Sequence, residues 1–173
     1  MTEASDSFGK VVAIIITVLA IFFVPLLIIT MKMDNTSQAA IETAVVKFVD
    51  NVRTTGKITA GAYESLCETI DSYQECCNIK LEHSSRVVSN DNGKVTEFYY
   101  DYNKNDILDH IYKSDAQKNI PYQVQNGDYF KVTVYNETPT LGTKLYRMFI
   151  PGYNPSGVTI NVVYGGLVGN NME

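Results

Sequence analysis

The sequence predicts an α+β protein in which a long N-terminal hydrophobic helix precedes helices packed on a mainly antiparallel β-sheet. Three observations lead to this prediction. An uncharged apolar run fills residues 11–31, apolar residues then recur at helical spacing as far as Tyr73, and a period of two begins at Ile79. Helices that precede the strands, and hairpin signals between strands, indicate α+β rather than a parallel, doubly wound sheet.

The apolar run from Val11 to Met31 contains 21 consecutive uncharged residues. At about 1.5 Å per residue a helix of this length measures roughly 31 Å, the thickness of a bilayer's hydrocarbon core. We therefore predict a transmembrane helix over residues 11–31 behind a short cytoplasmic tail, residues 1–10. An internal proline is tolerated in lipid, where it kinks the helix. The predicted membrane or assembly residues are Val11, Ile15, Val18, Phe22, Pro25 and Ile28.

Charge does not decide the orientation of this helix, because Lys10 and Lys32 flank it almost evenly. The short tail is more simply left in the cytoplasm while the larger domain is exported. This places the protein in the cell membrane, single-pass, with an extracytoplasmic C-terminal domain. Signal-peptide cleavage before Ala40 stays open, since residues 37–39 have the small-x-small pattern that signal peptidase reads.

Residues 32–58 are predicted to form a helical stalk, and its amphipathic helix is predicted to end at Gly56. The stalk either continues the membrane helix with a bend or begins afresh after the capping residues 34–37. Its apolar stripe is predicted to contact like subunits and contains Ile41, Val45, Phe48 and Val52. Residues 59–173 are then predicted to form one extracytoplasmic α+β domain, because the roughly 140 residues that follow the span suffice for one core and not for two.

The domain is predicted to begin with a helix that is capped by Thr59 and buries Tyr63, Leu66, Ile70 and Tyr73. A hairpin follows, in which residues 90–93 form the turn and residues 95–102 the returning strand. Alternation places one set of side chains on the apolar face of its first strand: Ile79, Leu81, His83, Ser85 and Val87.

The rest of the domain is predicted to alternate short helices and strands. Asn105 caps a helix whose inward residues are Ile107, Leu108, Ile111 and Tyr112. The turn Asn126-Gly127 predicts a second hairpin, which joins residues 122–125 to residues 128–135 with Phe130, Val132 and Val134 on one face. Thr138-Pro139 predicts the start of a helix whose apolar side contains Leu141, Leu145, Met148 and Phe149. The final strand shows Val158, Ile160, Val162 and Tyr164 on one face.

Neither the composition nor the motifs of the domain indicate a catalytic, metal-binding or nucleic-acid-binding site. The 14 Lys and Arg against 19 Asp and Glu are scattered along the chain, which disfavours a nucleic-acid partner. We predict a buried, hydrogen-bonded His83 and a solvated His110, without the ligand spacing of a metal site. The carboxylates Asp101, Asp106 and Asp109 lack the glycine and ligand pattern of a calcium loop. No catalytic, cofactor-binding or metal residue is therefore predicted, and we do not expect an enzyme.

The three cysteines leave two arrangements open. A disulfide between Cys67 and either Cys76 or Cys77 requires the chain to turn back after about residue 73, because nine residues of straight helix measure about 13 Å and a disulfide allows about 7 Å. Such a bond would join the second helix to the first strand of the sheet. Otherwise the cysteines pack as small apolar groups.

The chain resembles the pilins and pseudopilins of type IV pili. More narrowly, it is similar to small anchored proteins of Tad-type pilus clusters in Firmicutes. The resembling segments are FGKVVAIIITVLAIFFVPLL, KFVDNVRTTGKIT, NIKLEHSSRVV, NGDYFKVTVYN and VVYGGLVGN. Pilins carry a glutamate five residues into the mature helix, and no acidic residue follows Phe8-Gly9-Lys10 within this span. The resemblance therefore implies a minor or accessory subunit rather than a bulk pilin.

We expect a structural or accessory subunit of a surface pilus or secretion filament that assembles through its N-terminal helix. Its partners would be membrane lipid and like subunits or other pilin-like proteins, with no cofactor and no nucleic acid. The alternative is a membrane-anchored extracytoplasmic domain that binds a ligand or acts as a sensor, for which the helix is only a tether.

Overall fold

The computed structural model describes residues 2–73, 77–91, 94–112, 120–150, 152 and 160–169, with side chains from residue 7 onward. The helices and strands in these ranges are α1 (Thr2–Thr55), β1 (Lys57–Ile58), α2 (Ala60–Tyr73), β2 (Cys77–Asp91), β3 (Lys94–Asn103), α3 (Lys104–Ile111), β4 (Tyr122–Gln123), β5 (Tyr129–Asn136), α4 (Leu141–Phe149) and β6 (Asn161–Leu167). The predicted α+β class, with a long N-terminal apolar helix followed by helices and antiparallel strands, is confirmed.

Helix α1 is one unbroken element of 54 residues that includes the predicted span, the predicted tail from residue 2 and the predicted stalk as far as residue 55. Of the two arrangements left open for the stalk, the structure has the first: the stalk continues the membrane helix, and no fresh start occurs at residues 34–37. Thr36 donates its hydroxyl to the Lys32 carbonyl at 2.9 Å, as a threonine inside a helix does, because the preceding apolar run is already helical. The predicted end is confirmed: Gly56 has a φ of 64°, and its N–H donates to the Val52 carbonyl at 2.8 Å.

The main sheet has four antiparallel strands in the order β3-β2-β5-β6. Its inner face packs against the C-terminal half of α1, which lies along β5 and β6. The apolar residues that alternate along the central strands are buried there, as their period of two predicted. Core side chains on the sheet include Phe130, Leu81, Val132 and Val134. We call the sheet, the helices α2 and α3 and this half of α1 the head.

The predicted second hairpin is wrong, although its turn forms. Gly127 adopts a φ of 91°, and the Asp128 N–H donates to the Gln125 carbonyl at 3.1 Å. The segment before this turn does not pair with β5, because β4 pairs with β1, with Ile58 opposite Tyr122. Strand β5 instead lies between β2 and β6. The Asn-Gly sequence therefore predicted the local turn correctly. The pairing of β4 and β5 depends instead on contacts between residues that are distant in sequence.

The helix caps agree with the prediction once and differ from it twice. Thr59 caps α2, since its hydroxyl accepts from the Ala62 N–H at 3.2 Å. Helix α3 is capped by Asn103 rather than Asn105: the Asn103 side chain accepts from the Asn105 N–H, and Asp106 accepts from the Asn103 N–H at 2.8 Å. Helix α4 begins after Thr140, two residues later than predicted.

Several predicted inward residues lie at the surface instead. Tyr73 and Tyr112 are about half exposed, and Val87 is exposed because β2 runs past the core. In the final strand Ile160 and Val162 are buried as predicted, whereas Val158 lies outside the described residues. The turn at residues 92–93 lies outside them as well.

Gly165 lies inside β6, directly against β5. A Cβ atom at this position would lie 2.7 Å from the Phe130 carbonyl oxygen and 2.8 Å from the Lys131 Cβ. Backbone atoms cannot move aside cheaply, so we expect Gly165→Ala to lower the free energy of unfolding by about 1–3 kcal/mol. The change is measured as the thermal midpoint of the full chain in detergent micelles, followed by circular dichroism. The control is Gly169→Ala, where a Cβ would meet nothing within 4 Å. Equal midpoints for the two variants would contradict the close packing of β6 on β5.

Candidate functional site

The N-terminal half of α1 presents an apolar surface that the rest of the described chain leaves largely uncovered. Among the described residues, α1 is the helix that is long and apolar enough to cross a membrane, with a mean hydropathy of 3.2 over its most apolar window and none of that window buried. The predicted membrane or assembly residues Val11, Ile15, Val18, Phe22, Pro25 and Ile28 are all exposed. Lipid or protein must cover this surface, because so much apolar area is not stable in water.

The predicted stalk interface is corrected by the structure. Ile41, Val45 and Val52 are completely buried, and Phe48 is 6% exposed. Phe48 packs on Phe130 of β5, with ring centroids 6.1 Å apart. The stripe therefore faces the chain's own sheet and is not accessible to a like subunit. Apolar periodicity shows only that a face is apolar, and in this stripe the chain's own sheet covers that face.

Helix α4 lies against α1 at the level of the predicted membrane span. The Thr140 hydroxyl donates to the Asp34 carboxylate at 2.7 Å, and the Tyr146 hydroxyl lies 3.0 Å from the Met31 sulfur. Further along, the rings of Phe149 and Phe23 are 4.5 Å apart. From the N-terminal to the C-terminal end of α4, the residue that it contacts on α1 thus changes from residue 34 to residue 23. The two helices run side by side in opposite directions.

The apolar side of α4 faces away from the protein. Leu141 is 60% exposed and Met148 is 76% exposed, whereas Gly142 and Thr143 are buried. A Cβ on Gly142 would lie 2.5 Å from the Asp34 carboxylate, so this glycine permits the close approach of the two helices. As predicted from their helical spacing, one side of α4 contains Leu141, Leu145, Met148 and Phe149. That side is largely exposed rather than part of the core.

Strands β2 and β3 extend beyond the core as a two-stranded arm. We call residues 85–91 and 94–100 the hairpin arm. Strand β2 pairs with β5 only as far as Ser84, and beyond it pairs with β3 alone. Every residue of β3 is exposed, and within the described chain β3 is an edge strand. The arm's exposed large apolar side chains are Val87, Val88, Val95, Phe98, Tyr99 and Tyr100.

A buried network of polar side chains joins β2, β4 and the turn before β5. His83 Nε2 lies 2.9 Å from Asp128 Oδ2, and His83 Nδ1 lies 2.8 Å from the Tyr122 hydroxyl. A carboxylate can only accept, so Nε2 carries a proton. Burial raises the pKa of Tyr122, which keeps its hydroxyl protonated and able to donate to Nδ1.

The Asp128 carboxylate also accepts from two backbone N–H groups, those of Arg86 at 2.9 Å and Gln125 at 2.8 Å. Burial alone would raise the pKa of Asp128, but the hydrogen bonds from Arg86, His83 and Gln125 outweigh it and hold that pKa below its usual value. His83 is thus the buried, hydrogen-bonded histidine that the sequence predicted, and its partners fix three chain segments to one another. No hydroxyl or thiol activated by this histidine occurs among these contacts, and the tyrosine's raised pKa disfavours it as a nucleophile.

Cys67 is a free thiol, so the predicted disulfide from Cys67 to Cys77 does not form. Both residues pack against the core as partly buried small groups, which is the other predicted arrangement. Burial raises the pKa of the Cys67 thiol and disfavours its thiolate, against a hydrogen bond from Tyr63 that lowers it. Cys76 lies outside the described residues.

The predicted aspartates do not converge on a metal site. Asp101 accepts a hydrogen bond from Ser84, Asp106 caps α3, and Asp109 is exposed. In the part of the chain that the structure describes, no three His, Cys, Asp or Glu residues come together closely enough to hold a metal ion.

The described part of the head also has grooves between its elements. A groove of about 480 Å³ lies between α1 and α2 and is lined mainly by small side chains, among them Ala40, Ala44 and Ala62. A second, of about 380 Å³, lies over β2 and β5, where Lys131 and Glu82 pair at 2.6 Å. The third charged group of its lining, Asp101, accepts a hydrogen bond from Ser84.

Comparison with protein families, curated proteins and solved structures finds no match to this chain. The sequence predicted an apolar side on α4 and an apolar strand face that includes Val87 of the hairpin arm, and the structure leaves Leu141, Met148 and Val87 exposed. One signal for the arm was available: Phe98, Tyr99 and Tyr100 are consecutive, so they must occupy both faces of their strand.

Proposed function

We propose that this chain is a membrane-anchored structural or accessory subunit, of the minor pilin-like kind, that is built into a surface pilus or secretion filament. The observation that carries the proposal is the division of α1. Its C-terminal half is part of the core of the head, and its N-terminal half projects as an exposed apolar helix.

This division gives the helix a mechanical role beyond anchoring. Residues 41–52 are packed between the sheet and the other helices, so the head cannot turn independently of the projecting half. If the projecting halves of several copies pack together, the heads are placed at fixed positions around them. In lipid an apolar helix gains little by meeting another, but in a filament core it buries the same surface against its copies.

The hairpin arm provides a second contact surface for such an assembly. Phe98 and Val87 lie opposite each other on one face, and Tyr99 and Val88 lie on the other. Strand β3 also presents an unpaired edge within the described chain. Exposed apolar edge strands invite pairing with another chain, and proteins without partners usually protect them. The arm is thus suited to contact a neighbouring head.

The anchored ligand-binding alternative has weaker support in the head. In the groove over β2 and β5, Lys131 pairs with Glu82 and Asp101 accepts a hydrogen bond from Ser84. The buried His83 network is fully engaged in internal hydrogen bonds. We therefore favour assembly over ligand recognition.

The arm is tested with Phe98→Glu in the full chain, expressed in its native cells. Phe98 is 50% exposed, so we expect the head to fold normally, while a charge at the centre of a contact surface should reduce filament incorporation about tenfold or more. The readout is negative-stain microscopy of sheared surface material, labelled with antibody to the head. The control is Val163→Glu, which adds the same charge to a side chain 57% exposed on β6.

Wild-type incorporation of Phe98→Glu would remove the arm from the proposal. Recovery of the wild-type chain only as a membrane-embedded monomer, with no antibody label on filaments, would remove assembly altogether and favour the anchored ligand-binding alternative.

A further inference from the structure

We propose that α4 is a membrane-interface helix, which lies among the headgroups and outer acyl chains of the bilayer beside α1. The apolar side defined by Leu141, Leu145, Met148 and Phe149 faces the acyl chains, and Lys144 and Arg147 reach the headgroups. This inference rests on the membrane anchoring that is part of the proposed function.

The depth of α4 follows from its contacts with α1. Phe149 packs on Phe23, which precedes Met31, the end of the predicted span, by eight residues. At 1.5 Å per residue this places the C-terminal end of α4 about 12 Å inside that end of the span. Thr140, at the opposite end of α4, contacts Asp34 just outside the span. Whatever surrounds α1 over residues 23–31 therefore surrounds α4 as well.

The apolar and polar sides of α4 are arranged differently from those of a helix on the surface of a soluble domain. Such a helix turns its apolar side inward and its polar side to water. Here the inward side consists of Gly142, Thr143 and Tyr146, whereas Leu141 and Met148 point outward. Leu141, Leu145 and Met148, at i, i+4 and i+7, form a continuous strip that is exposed at Leu141 and Met148 and partly buried at Leu145, and this strip adjoins the apolar surface of α1. One apolar medium covers both.

The polar groups of α4 are suited to this position. The Thr140 hydroxyl bonds to the Asp34 carboxylate, and the Thr143 hydroxyl lies 3.1 Å from that of Thr140, so the inward polar atoms are paired with protein. Lys144 and Arg147 are exposed on the remaining side of the helix. Long basic side chains extend to the headgroup level while their stems stay in the apolar layer, and they favour anionic lipid. These features indicate lipid as the medium.

The absence of tryptophan from the chain gives a direct test. Single-tryptophan full-length chains are made with Met148→Trp in α4, Phe22→Trp in the span and Val163→Trp on the head. Each is reconstituted into phosphatidylcholine vesicles that contain anionic phosphatidylglycerol. Quenching is measured with brominated acyl chains in the lipid and with iodide in the water. Met148 is 76% exposed, so the larger ring displaces no core residue.

We expect Met148→Trp to behave like Phe22→Trp: strongly quenched by brominated lipid and protected from iodide. Val163→Trp should show the opposite. If Phe22→Trp is lipid-quenched while Met148→Trp is quenched by iodide as strongly as Val163→Trp, the interface role of α4 is wrong and the anchoring stands. If Met148→Trp is protected from both quenchers, a second protein copy covers the strip and the lipid assignment is overturned. Iodide quenching of Phe22→Trp would overturn the anchoring itself.

Discussion

Replacing Asp128 with asparagine is expected to lower the free energy of unfolding of the head by about 3 kcal/mol. The carboxylate accepts three hydrogen bonds in a buried position, from His83 and from the backbone of Arg86 and Gln125. An amide has one acceptor oxygen, so at least one buried donor loses its partner, and the remaining bonds lose their charge assistance. The change is measured by urea unfolding of the full chain in detergent micelles, followed by near-ultraviolet circular dichroism of the tyrosines.

The same carboxylate makes the head sensitive to acid in a defined direction. Because the folded state holds the pKa of Asp128 below its usual value of 3.8, the unfolded state binds the proton more readily. The stability that Asp128 provides is thus fully present above pH 3.8, and it is lost as the pH falls through the lower pKa of the folded state. We expect the difference between the wild-type chain and Asp128→Asn to shrink over that range.

The matched control is Asp109→Asn on α3, which removes the same charge from an exposed side chain. We expect it to change stability by no more than about 0.5 kcal/mol. An Asp128→Asn variant as stable as this control at neutral pH would show that the buried network contributes nothing to the fold.

The second large effect is expected for Val45→Asp. Val45 is completely buried between α1 and the sheet. A carboxylate placed there has no partner and must be desolvated or protonated, so we expect a loss of about 4 kcal/mol or more and an unfolded head. Protease sensitivity and the loss of the near-ultraviolet signal measure this outcome in the full chain.

Thr43→Asp is the control on the same helix, because Thr43 is exposed and lies two residues from Val45. Its head should stay folded. A Val45→Asp chain with a folded head that only fails to assemble would contradict the burial of this stripe and restore the stripe as an interface between subunits.

These two predictions distinguish what sequence patterns identify from what they leave undetermined. The spacing of Ile41, Val45, Phe48 and Val52 identified an apolar face correctly, but the pattern is the same whether a sheet or a second subunit covers it. His83 was placed correctly in the core by the alternation of its strand. Asp128 was read only as the first residue of a strand after a turn, since its partners Arg86 and His83 lie more than 40 residues away in sequence.

The hairpin signals show the same division between local and distant effects. The Asn-Gly turn formed at Gly127 because a positive φ there is a local property of glycine. Strand β4 nevertheless left β5 and paired with β1, where Ile58 and Tyr122 become buried. No feature of residues 122–135 alone specified that choice.

The sequence by itself determined the type of most elements: an apolar run long enough to span a bilayer, an amphipathic continuation, and strands that alternate toward one core. It also determined the α+β class. Only the tertiary structure decided what covers each apolar face, so that the stripe of α1 turned to its own sheet while the strip on α4 turned outward. The physical reason is that the removal of apolar surface from water has no preferred direction, and periodicity records that a face is apolar without recording its partner.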